Sequence, residues 1–215
     1  MIRTDFSIAC LFVSALLALP SPAAAKFPSP ANSSVPKVLV LVGRGPDGTA
    51  DPIGEFRVIL RDAAYTPVEG TIVTIDFGNC SDERVCSDQS PDATVDCADH
   101  WVVDATQSGP DGVARLRIVG SADHGVPATS GALARVKGDG VIVAFLRIAA
   151  LDQDGGGLGP TDLALWLDDY FHSPGAARSD YDGDGVLGPG DLSIWLGAFF
   201  AGESVHGGAA ASCPP

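Results

Sequence analysis

Between Lys37 and about Ala150, apolar and polar residues alternate in short runs. They are Val38-Leu39-Val40-Leu41-Val42, Glu55 to Leu60, Thr71 to Phe77, Val113 to Val119, Ala132 to Val136 and Val141 to Ile148. A period of two is what a strand with one buried face requires. Gly, Pro and Asp clusters separate the runs at the spacing of a sandwich, so residues 37–150 are expected to form a mainly β domain of about six or seven strands. Residues 78 to 100 break the alternation and read as a long acidic loop. Further along, the period changes. Leu163, Trp166, Leu167 and Tyr170, then Leu192, Trp195, Leu196 and Phe199, fall at i, i+3, i+4 and i+7, which predicts two amphipathic helices. Each spans only about three turns and needs a neighbour to be stable.

The ends of the chain follow other rules. Arg3, the apolar stretch Ile8 to Leu19 and Ala23-Ala24-Ala25 have the order of a secretory signal, with cleavage expected after Ala25. The apolar stretch is shorter than the roughly 20 residues of a membrane-spanning helix. Residues 26–36, KFPSPANSSVP, read as a flexible lead-in, and residues 201–215 as a tail. The formal net charge is −14, which argues against nucleic acid and anionic membranes as partners, since both attract basic patches. Cys80, Cys86, Cys97 and Cys213 remain after processing. In an exported chain disulfides are expected, with all pairings open; a zinc site is disfavoured because the short Cys-x-x-Cys pairs are missing.

The charge is clustered where the chain repeats itself. LGPTDLALWLDDYF (Leu158 to Phe171) aligns without gaps on LGPGDLSIWLGAFF (Leu187 to Phe200), with a period of 29 residues. An Asp- and Gly-rich segment precedes each copy. In the second, Asp180, Asp182 and Asp184 stand at positions 1, 3 and 5, Gly185 at 6, the Val186 carbonyl at 7 and Asp191 at 12. This is the spacing with which a looping chain delivers oxygens to Ca2+, a hard cation taking roughly six to eight of them. Position 9 is Gly188, where water would serve. Carboxylates converging on one point repel, and a divalent ion makes the arrangement favourable. The first copy keeps Asp152 and Asp154 at positions 1 and 3, has Gly at position 5, and is one residue shorter before Asp162; it is expected to bind more weakly.

Two resemblances attach to these residues. Pro67-Val68-Glu69-Gly70 and Ser108 to Val113 resemble turn signatures of bacterial immunoglobulin-like domains, including the invasin type. That resemblance implies an immunoglobulin-like β-sandwich over 37–150. A duplicated calcium loop, each followed by one helix, resembles the type I dockerin repeat over residues 151–200. The resemblance implies a small α-helical module holding calcium at Asp180, Asp182, Asp184 and Asp191, a cohesin-like domain as partner, and a link to polysaccharide catabolism. The family's partner-reading positions are usually a polar Ser/Thr pair; here they are Pro160-Thr161 and Pro189-Gly190.

Catalysis finds no support in the motifs. There is no Gly-x-Ser-x-Gly elbow, no His-Glu-x-x-His and no phosphate-binding Gly loop in a strand-to-helix context. His100, His124, His172 and His206 fall in loops or the tail. The expectation is therefore a secreted, non-enzymatic calcium-binding protein that docks to an extracellular protein, or a calcium-stabilised surface interaction protein with no cohesin partner. A glycoside hydrolase accessory or carbohydrate-binding protein is a weaker third reading, because the sequence offers no evident aromatic platform.

Overall fold

A computed structural model describes residues 26–207; the expected signal segment (1–25), Cys213 and the end of the tail lie outside the described residues. The chain is mainly β. Among the described residues ten strands run in order: β1 (Val38–Leu41), β2 (Phe56–Ile59), β3 (Val73–Asp76), β4 (Glu83–Val85), β5 (Ala93–Asp96), β6 (Trp101–Asp104), β7 (Val113–Leu116), β8 (Gly120–Ala122), β9 (Ala134–Gly138) and β10 (Val141–Ala150). Helices α1 (Pro160–His172) and α2 (Pro189–Ala201) follow. Six strands form one sheet in the order β1-β10-β9-β3-β6-β5, while β2 pairs with β7 and β4 with β8. The β1–β10 pairing is parallel, with Val38 opposite Arg147, and the other ladders are antiparallel.

Alternation explains the core. Leu39 and Leu41 of β1, Phe56 and Val58 of β2, Val73 and Ile75 of β3, Leu116 of β7 and Leu146 and Ile148 of β10 meet in one apolar cluster. Burying side chains of this size stabilises the fold by about 1.5–3 kcal/mol each. β1 has no polar face. Val38 and Val40, on its other side, join Val42, Ala149 and Leu151 in a second cluster that takes in Trp166, Tyr181, Trp195 and Ala198. A five-residue apolar run buried on both faces is thus the seam along which the two helices are fastened to the sheet.

The acidic stretch 78–100 departs from expectation. It contains β4 and β5 and leads directly into β6. Runs of three or four residues with one or two apolar positions are too short for a period to register, and β4 carries a buried Glu83 in an apolar place. The expectation of disulfides holds for one of its three cysteines. Cys97 is disulfide-bonded, but Cys80 and Cys86 are free thiols, both buried. Gln89 does much of the fastening. Its Nε2 donates to the carbonyls of Cys86 at 2.8 Å and Val119 at 2.7 Å, and its Oε1 accepts from the Val119 amide at 2.7 Å.

Two segments expected as loose ends are also hydrogen-bonded. Ser34 exchanges backbone bonds of 2.8 and 2.9 Å with Ile59, and Ser29 N–H donates to Arg61 O. Residues 204–206 close over the other end, where the His206 and Arg44 backbones pair and Asp51 Oδ2 accepts from Ser204 N–H at 2.6 Å. The tail therefore lies over the first glycine-rich turn, where Leu158 N–H donates to Ser204 O at 2.9 Å, while the second turn lies against Val38 and Arg147.

Candidate metal centre

Each helix begins in the same way. Gly159 and Gly188 are extended N-cap residues, Pro160 and Pro189 occupy the first helical position, and an aspartate stands at the third. Proline suits that place because its missing N–H would have no helical partner. Asp162 Oδ2 accepts from Gly159 N–H at 2.6 Å, and Asp191 Oδ2 from Gly188 N–H at 2.9 Å. A carboxylate there also meets the positive end of the helix dipole.

Ahead of α2, carboxylate oxygens of Asp180, Asp182 and Asp184 lie within 4.8 Å of one another. The loop holds itself open through its own amides. Asp182 Oδ1 accepts from Asp184 N–H at 3.0 Å, Asp184 Oδ1 from Val186 N–H at 2.8 Å, and Asp180 Oδ2 from Gly185 N–H at 2.9 Å. Asp191 Oδ1 accepts from Asp182 N–H at 3.1 Å, so the twelfth-position carboxylate ties the loop to the helix start. Val186 has an exposed side chain, with its carbonyl at the seventh position. Asp180 is only 2 % exposed, and its Oδ1 is buried with no hydrogen-bond partner. Burial pushes its carboxyl above the usual range, with Arg147 and the Gly185 amide opposing and the charge of Asp191 adding. A buried carboxylate oxygen without a donor is costly by about 1–3 kcal/mol or more. Here it sits in an all-oxygen cluster, the donor set suited to a hard cation.

Ahead of α1, oxygens of Asp152, Asp154 and Asp162 also lie within 4.8 Å of one another, but they are better supplied. Asp152 is fully buried, and accepts from Gly155 N–H at 2.6 Å and Gly157 N–H at 3.0 Å. Asp162 accepts from Gln153 N–H and Gly159 N–H, each at 2.6 Å. Burial, with Asp152 and Asp154 adding, pushes the Asp162 carboxyl up to about 6.

The backbone locates the missing residue. Gly155 and Gly157 have φ of 84° and 94°, matched by Gly183 and Gly185 at 70° and 94°, a conformation that disfavours any side chain. These pairs are 28 residues apart, whereas the N-caps Gly159 and Gly188 are 29 apart. The deletion therefore falls between Gly157 and Leu158. Loop one has no counterpart to Val186, the residue whose carbonyl occupies the seventh place.

Several site residues had no sequence signal. Arg147 of β10 places Nε 3.3 Å from Asp180 Oδ2 and donates from Nη1 to Gly183 O at 3.4 Å. Beneath loop one lies a buried polar network. Arg178 is bidentate to Asp169 at 2.8 and 2.7 Å, Ser179 Oγ donates to Asp169, and Gln153 Nε2 reaches Ala150 O, Arg178 O and Tyr181 Oη. His124 touches Gln153 Oε1 at 2.7 Å and Arg178 Nη2 at 3.2 Å. No pattern of apolar periodicity marks such groups. The one available cue was charge placed inside an otherwise apolar helix and turn.

No family model matches this chain, and no curated protein and no solved structure does so either.

Proposed function

We propose that this is a secreted, non-catalytic calcium-binding protein, in which an immunoglobulin-like β-sandwich carries a dockerin-like pair of loop-helix repeats that serves extracellular assembly. One observation carries the calcium reading: the buried, unpartnered Asp180 Oδ1 inside the Asp180-Asp182-Asp184 cluster. With the Val186 carbonyl and Asp191 at positions seven and twelve, these residues would hold a hard divalent ion. The ion would supply the positive charge that offsets three converging carboxylates and would brace the start of α2.

The sheet order supports the sandwich reading. β10-β9-β3 follows the order of the G, F and C strands, β1 lies beside β10 in parallel as a first strand beside G, and the separate β2–β7 pair corresponds to B and E, whereas β6 and β5 extend the sheet in the reverse of the C′, C″ chain order. For the module, the support is the repeat itself and the similarity of its two helix starts. Docking to a cohesin-like domain is the function that a dockerin-like module implies. A second reading is favoured by the packing of Trp166 and Trp195 with Val42, Ala149 and Leu151: calcium orders the module on its own sandwich, and the protein acts at a surface without a cohesin partner.

Calorimetric titration with CaCl2 tests the shared premise. Wild type is expected to bind at micromolar or tighter affinity, with a ligand-linked gain in stability, and Asp184→Ala to bind about 100-fold more weakly for loss of one of the clustered carboxylates. Identical heats for the two proteins would refute the calcium reading. Retention on immobilised cohesin domains in calcium, lost in EDTA, selects docking; a calcium-dependent melting point without retention selects the second reading.

A further inference from the structure

Loop two is backed by a fixed positive charge from the sandwich, and loop one is not. Arg147 reaches from β10 to Asp180 Oδ2 and Gly183 O. Its Nη2 would lie 2.9 Å from a Cβ placed on Gly185, so the guanidinium lies against the glycine turn itself. Among the described residues, no base is paired with Asp152, Asp154 or Asp162. The corresponding glycine of loop one, Gly157, instead faces the backbone of Val205 and Gly207. The copy with the fuller ligand set is therefore the one that carries its own cation.

We infer that Arg147 stands in for the metal in the ion-free protein and sets the concentration at which a divalent ion takes loop two. The inference rests on the calcium reading above. A guanidinium stays charged at every accessible pH, so it partly offsets the repulsion among Asp180, Asp182 and Asp184 when no ion is present. It holds Asp180 in place for coordination. It satisfies that residue incompletely, since Oδ1 keeps no partner, and this leaves an oxygen for the ion. A divalent ion bound there meets the same positive charge a short distance away and is opposed by it. Arg147 thus stabilises the empty loop and weakens the filled one. Because it projects from β10, opposite Val38 in the parallel ladder, it also makes the filling of the loop felt at the edge of the sandwich.

The test is CaCl2 titration of the full chain by calorimetry, with melting curves in EDTA and in saturating calcium. Arg147→Met is compared with wild type, Arg147→Lys and Arg115→Met, the last removing an exposed guanidinium that pairs with Glu55 on the β2–β7 side. Arg147→Met is expected to bind calcium about tenfold more tightly, as removal of one nearby unit charge implies, and to melt earlier in EDTA but not in calcium. Arg147→Lys should fall between it and wild type, and Arg115→Met should titrate as wild type. If wild type binds and Arg147→Met binds equally or more weakly, the inference is overturned while the calcium reading stands. If Arg147→Met is unfolded in EDTA, the neutral Arg147→Gln decides: affinity unchanged or weaker than wild type overturns the inference. If no variant takes up calcium, both fall together.

Discussion

The two repeats keep the same helix and differ in the loop. Their helices are each 13 residues long, start with Gly-Pro and bury one tryptophan, Trp166 at 2 % and Trp195 at 1 % exposure. Their loops share two glycines at positive φ and a carboxylate that caps the helix. Yet one loop meets its buried carboxylates with backbone amides, and the other leaves an oxygen orphaned and recruits an arginine. Loss of a single residue and of one aspartate separates the sequences of the two loops. Both tryptophans pack in the cluster that takes in Val38 and Val40 of β1 and Ala149 of β10, and the first loop lies against the tail, where Gly157 meets the Val205 and Gly207 backbone.

The largest expected effect tests the shared half of that comparison. Trp166 Nε1 donates to Ser179 O at 3.0 Å and Trp195 Nε1 to Leu151 O at 3.3 Å, within the same apolar cluster. Trp166→Ala and Trp195→Ala should each cost about 3–5 kcal/mol in denaturant unfolding. Comparable losses sustain the view that the helices are equivalent. A loss under about 1 kcal/mol at either site would show that one helix is only resting on the sheet.

How much of this was readable beforehand depends on the kind of signal. The helices were legible because Leu163, Trp166 and Tyr170, and Leu192, Trp195 and Phe199, repeat with a helical period, and because proline follows glycine at each start. The strands with four or more alternating residues were legible for the same reason. β4, β5, β6 and β8 were not, since three or four residues with polar groups in buried places, such as Glu83 and Ser121, carry no period. In the candidate centre, the loop carboxylates followed from ligand spacing. Arg147 did not, because its role arises from the parallel pairing of β1 with β10, between strands more than a hundred residues apart. The Asp169–Arg178 pair likewise joins a helix to a turn, and no local pattern brings them together.

A sharper version of the comparison rebuilds the weaker loop. Gly156→Asp together with insertion of Val between Gly157 and Leu158 restores positions five and seven of loop one. A Cβ at Gly156 would come within 2.9 Å of Asp154 Oδ1, the movable end of a side chain that could turn toward an ion. Calorimetry is expected to show a second calcium site at least about tenfold tighter than anything loop one binds in the wild type. No gain would mean that the tail over Gly157, and not the missing ligands, is what closes loop one.

The smallest effect concerns the buried network on the loop-one side. Glu83 is buried with neither carboxylate oxygen hydrogen-bonded. Burial pushes its carboxyl well above the ordinary range; the charges of Asp82 and Asp169 push the same way, and Arg178 opposes them. A carboxyl raised in the folded state contributes stability that is fully present below its unfolded value, 4.5, and is lost as pH rises through the folded one. Wild type should therefore lose stability as pH climbs above about 4.5 toward neutrality, and Glu83→Gln, which mimics the protonated side chain, should not show that part of the slope. At pH 7 the variant is expected to be more stable by about 1 kcal/mol, with loop two's calcium affinity unchanged. Urea unfolding at several pH values measures the slope. Parallel curves for the two proteins would remove Glu83 from the account, and a shift in calcium affinity would show that the two halves of the module are coupled through the network instead of independent.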